Sequence, residues 1–121
     1  MNALQFENRG KYLYFKFSKE PVDLKRAEFF KDRVLEEIKN IGIKRVLFQI
    51  EDSEQKIHLK GYLKIARSLV GKIRGVRAAV LTNAKFQGPE TIFFELAMGV
   101  FGNRLRYFKV SNLAVNWLLE A

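Results

Sequence analysis

The chain of 121 residues carries 48% hydrophobic side chains, a formal net charge of +9 and no cysteine. Composition this apolar excludes disorder, apolar runs far shorter than ~20 residues exclude a membrane-spanning helix, and the absence of cysteine excludes disulfides. The amino terminus Met1-Asn2-Ala3-Leu4 lacks the basic and apolar regions of a secretory signal, so one soluble domain over residues 1–121 in a reducing cytoplasm is expected.

Two aromatic segments, Ala3–Glu7 and Lys11–Phe17, flank the turn composition Asn8-Arg9-Gly10 and read as a hairpin of strands. From Asp23, a capping residue, Ala27, Phe30, Val34, Ile38 and Ile41 recur at three- and four-residue steps until Gly42, which predicts the first helix. Arg45–Ile50 is a short apolar strand of the kind buried on both faces, broken off by the polar segment Glu51–Lys56. A second helix follows, with Leu59, Tyr62, Leu63, Ala66, Leu69, Val70 and Ile73 on one face and Lys56, Lys60, Lys64 and Arg67 on the other.

Arg77–Thr82 reads as the fourth strand, and Pro89-Glu90 opens a third helix that Gly102 ends. Leu105–Val110 reads as the fifth strand; Ser111 is then expected to cap a last helix, with Val110 and Val115 as a hydrophobic staple. The order ββαβαβαβα predicts an α/β domain with about four helices. Its five-stranded sheet is mixed but largely parallel: the last three strands are neighbours and the first is an antiparallel edge. Ligand sites in such sheets gather beyond the carboxyl ends of the strands, here residues 51–58, 83–88 and 110–111.

This order resembles the STAS family, the domains of anti-sigma-factor antagonists and sulphate transporters. The likeness rests on the strands Val46-Leu47-Phe48-Gln49-Ile50 and Ala78-Ala79-Val80-Leu81, and on Tyr107-Phe108 followed by Leu113-Ala114-Val115-Asn116-Trp117-Leu118. It looks most like the stand-alone bacterial SpoIIAA-like branch. The resemblance implies a regulatory serine near His58 or Leu59, at the start of the second helix. Here that stretch is Ile57-His58-Leu59-Lys60-Gly61, which keeps the glycine but offers no hydroxyl, and Ser53 lies earlier in the loop. A phosphorylation switch at that position is therefore not expected.

No carboxylate occurs between Glu54 and Glu90, whereas Lys56, Lys60, Lys64, Arg67, Lys72, Arg74, Arg77 and Lys85 all fall there; such a field attracts anions or simply solubilises a surface. His58 is the one side chain of a type whose unperturbed pKa lies near neutrality, but no spacing brings Asp52 or Ser53 to it as an orienting partner or nucleophile, so no catalytic residue is expected. A single histidine without cysteine makes no metal site, and no cofactor motif is present. The third helix is apolar nearly all round, and Phe93, Phe94, Met98 and Phe101 are expected to supply an outward patch for a homodimer or a lipophilic pocket.

The expectation is therefore a non-enzymatic binding module. Its ligand or partner face is Asp52, Ser53, Lys56, His58, Lys60, Lys64 and Arg67, and its target is a regulatory protein or a lipophilic anion such as a fatty acid. The alternatives are nucleic-acid binding through the basic second-helix face and, further off, a hydrolase-like enzyme.

Overall fold

A computed structural model describes residues 4–17, 24–50, 64, 67–68, 74–82, 95, 98–99 and 102–120. Its strands are β1 (Leu4–Asn8), β2 (Leu13–Phe17), β3 (Arg45–Ile50), β4 (Arg77–Thr82) and β5 (Arg104–Phe108), and its delimited helices are α1 (Leu24–Ile41) and α2 (Ser111–Leu118). The described residues thus delimit two helices rather than the four expected. Lys64, Arg67, Ser68, Glu95, Met98 and Gly99 are also helical, while most of the second and third predicted spans lies outside the described residues, as does Asp23.

The strands form one sheet in the order β1-β2-β3-β4-β5. The hairpin pair β1–β2 is antiparallel, closed by Gly10 at φ 84 with its N–H donated to Asn8 Oδ1 at 2.9 Å. Every other pairing is parallel, so each successive strand returns to the same edge through a crossover. The expected mixed, largely parallel sheet with an antiparallel edge strand is the one observed.

Side chains alternate between the two faces of each strand, and each face has its own core. On one face Leu13, Phe15 and Val46 pack with Val34, Leu35 and Ile38 of α1, and Phe15 lies between Phe6 and Phe48 at ring separations of 5.0 and 5.7 Å. The spacing Phe30, Val34, Ile38 is the stripe read from the sequence, and all three are buried. On the other face Leu47 and Ala79 pack with Ala114, Trp117 and Leu118 of α2. Burial of these apolar surfaces at roughly 25 cal/mol per Å² is the main stabilising term.

Two sequence expectations need correction here. Val110, extended at φ −119 and ψ 125, occupies the N-cap of α2 without a side-chain capping bond, and Ser111 is already helical. Strand β5 ends at Phe108, the chain bends at Lys109 and Val110, and the Val110 side chain is 51% exposed rather than packed in a staple. Met98, expected to face outward, is 6% exposed and packs into the α1-side core. An almost wholly apolar helix has no polar face to fix its rotation, and the sheet takes the Met98 side.

Candidate anion-binding face

Each of the three central-to-edge parallel strands opens on an arginine, and the pairing register sets them side by side: Arg45 opposite Arg77, and Arg77 opposite Arg104. Alternation sends all three side chains to the α2 face, together with Arg106 two residues further along β5. A glycine at positive φ precedes each arginine by two or three residues, at Gly42 (84°), Gly75 (76°) and Gly102 (87°). Gly42 N donates to Ile38 O at 2.8 Å, the helix-ending role its place in the sequence predicts.

Backbone bonds fix this edge. Gly75 N reaches Gly102 O at 2.9 Å, Arg77 N reaches Lys44 O at 2.9 Å, and Arg104 N reaches Val76 O at 2.8 Å. Asn103, 1% exposed, accepts from Val76 N at 3.1 Å through Oδ1, so a buried amide ties the two loops together. The arginines therefore project from a rigid frame rather than from free loops.

Part of their charge serves the fold. Arg77 Nη1 donates to Trp117 O at 2.8 Å and Glu120 O at 3.0 Å, and Arg45 Nη2 donates to Glu120 O at 3.2 Å, so both close the carbonyl end of α2. The guanidiniums of Arg77, Arg104 and Arg106 lie 5.2, 5.5 and 5.6 Å from the centre of the Trp117 ring. Each such contact contributes about 0.5–1 kcal/mol, and like charges at facing strand positions oppose it. Trp117 is 6% exposed, and its Nε1–H is buried without a hydrogen-bond partner. Leaving such a donor unmet costs about 1–3 kcal/mol.

Beside this row an open cleft of about 680 Å³ is lined by Lys11, Ile43, Lys44, Arg45, Gly75, Arg77, Leu119 and Glu120. Four of these side chains are cationic, Lys11, Lys44, Arg45 and Arg77, and one is a carboxylate, Glu120, so the cleft favours an anion. The cleft lies at the amino edge of the parallel strands, opposite to the carboxyl edge where the sequence placed the site.

Of the residues singled out in the sequence, Asp52, Ser53, Lys56, His58, Lys60, Phe93, Phe94 and Phe101 lie outside the described residues. Lys64 and Arg67 are exposed, as a basic stripe requires. Lys64 Nζ sits 3.5 Å from Glu28, and Lys31 Nζ donates to Ser68 Oγ at 3.0 Å, so this helix runs against α1 and Lys64 is partly neutralised there. Nothing brings Lys64 or Arg67 to the arginine row. The row itself was missed, although a recurring glycine-then-arginine before each strand, Gly42…Arg45, Gly75-Val76-Arg77 and Gly102-Asn103-Arg104, was its visible signal.

Among the described residues no helix is long and apolar enough to cross a membrane, and no group of three or more His, Cys, Asp or Glu could hold a metal ion. The fold has a solved counterpart in an uncharacterized protein from the DUF3478 family, from Shewanella loihica PV-4, with a SpoIIAA-like fold. The two share 18% identity over 96% of this chain and 92% of that one, with a TM-score of 0.55. This chain has a SpoIIAA-like fold. No protein-family model matches its sequence, and no curated protein matches it. In this SpoIIAA-like chain the arginine row and its cleft owe their geometry to the parallel register rather than to any one segment.

Proposed function

We propose that the protein is a non-enzymatic binding module whose amino-edge arginine face receives an acidic segment of a regulatory protein partner. The observation that carries this reading is the row Arg45–Arg77–Arg104, continued by Lys11 and Lys44 along a cleft with one carboxylate. Neighbouring strands stand ~4.8 Å apart, so the row spans roughly 10 Å, the reach of a few residues of extended acidic chain. Arginine suits this task because its planar fork bonds carboxylates in pairs.

The lining supports binding over catalysis, since its described residues offer cations and backbone but no nucleophile paired with a base. It also favours a polar anion over a fatty acid, because Ile43 and Leu119 are the only large apolar members among the described residues that line it. Nucleic acid is the second reading, supported by the same cations. Base stacking would need exposed aromatic faces, however, and Trp117, the aromatic among the arginines, is buried.

Fluorescence anisotropy with a labelled poly-glutamate peptide and a labelled single-stranded oligonucleotide of equal charge tests the proposal. The peptide should bind more tightly, and Arg45→Gln with Arg104→Gln should weaken it by at least about tenfold, as should raising the salt several-fold. Tighter oligonucleotide binding would transfer the reading to nucleic acid, and a peptide affinity indifferent to both changes would end it.

A further inference from the structure

Trp117 is the protein's one tryptophan, and its buried indole N–H has no hydrogen-bond partner although three guanidiniums surround the ring. A buried donor without an acceptor, beside three clustered guanidiniums, is a pair of features that one bound oxyanion satisfies at once. We infer that Arg77, Arg104, Arg106 and the Trp117 indole N–H form a discrete oxyanion site whose ligand is a phosphate-type dianion. The inference rests on the proposed function, because Arg77 and Arg104 belong to the same arginine row.

The donor inventory fits. Arg77 spends Nη1 on the carbonyls of Trp117 and Glu120, which leaves Nε and Nη2 to face an anion. Arg104 and Arg106 are exposed and reach the indole from β5, so their long side chains can turn from the ring face toward a ligand at modest cost. The indole supplies a donor that cannot accept, which discriminates against cations and against groups lacking a lone pair. Three positive charges favour a dianion over a monoanionic carboxylate, and the tetrahedral oxygens of phosphate match several forked donors arriving from different strands. Phe108, 5.6 Å from Trp117 between ring centres, backs the indole and holds its orientation.

The test uses the single indole signal of the ¹⁵N-labelled full chain, titrated with inorganic phosphate and, separately, with acetate, both at constant ionic strength. Phosphate should move that signal downfield along a saturating curve, acetate should move it less, and Arg106→Gln should raise the apparent Kd about tenfold. Arg104→Gln provides a second, independently folded check, with the amide spectrum of each variant showing that the fold persists. An indole signal that ignores phosphate, that follows acetate equally, or that titrates in both variants as it does in the unsubstituted chain overturns the site. Poly-glutamate binding without a phosphate response would remove this site and leave the proposed function standing, whereas a phosphate response without peptide binding would do the reverse.

Discussion

Asn103 holds the amino edge together from a single side chain. It is 1% exposed, its Oδ1 accepts from Val76 N at 3.1 Å and its own N–H reaches Met98 O at 2.9 Å, so it joins the loops that precede β4 and β5. Replacing it with alanine strands a buried N–H, and urea unfolding of Asn103→Ala should show a loss of about 1–3 kcal/mol. Met98 and Lys64 make a contrasting pair. Met98 is 6% exposed in the core, so Met98→Glu should cost several kcal/mol and leave little folded protein. Lys64, whose side chain is 67% exposed beside Glu28, should tolerate Lys64→Glu with a change below about 1 kcal/mol in the same melt. A Met98→Glu chain that stayed folded would restore the outward patch that the sequence suggested. Met98 was illegible because its helix is apolar all round, and only the sheet beneath decides which side is core.

At the scale of elements, α2 owes its position to small residues. Ala79 of β4 and Ala114 of α2 are both fully buried in the same cluster, which lets the helix backbone lie close to the strand and seats Trp117 and Leu118 to either side. Ala114→Leu should therefore force the helix away and cost about 1–3 kcal/mol by overpacking, read as a lowered Tm. Arg77 anchors the other end through two carbonyls. Much of this was legible in the sequence. The stripe Phe30, Val34, Ile38 with Gly42 gave α1, and the strand segments Arg45–Ile50 and Arg77–Thr82 coincide with β3 and β4. The start of α2 was not, because a serine after a strand looks like a cap, while the helix begins at Ser111 itself and Val110 holds the N-cap position. The arginine row was hidden for a different reason. The glycine-then-arginine pattern marks each strand start, but that the three arginines stand side by side depends on the register between strands some thirty residues apart.

Across the whole molecule, structural and recognition roles share one set of charges. The helix carbonyls that end beside the sheet's amino edge attract cations: Arg77 meets the last turn of α2 at Trp117 O, and Arg45 and Arg77 both hold Glu120 O just beyond it. Lys11 and Lys44, which line the same cleft, add positive charge that helix capping does not use. The basic segment from Lys56 to Lys85, the most evident feature of the sequence, contributes Arg77 to this edge, whereas Lys64 is drawn to Glu28 against α1. The proposed binding face thus lies at the amino ends of the strands rather than at their carboxyl ends. Amide chemical-shift mapping of the ¹⁵N-labelled chain with the poly-glutamate peptide tests that claim most directly. It should perturb Lys44, Arg45, Gly75, Arg77 and Arg104 together, along one edge of the sheet. Perturbations confined to Phe17, Ile50, Thr82 and Phe108, at the opposite ends of the same strands, would contradict it.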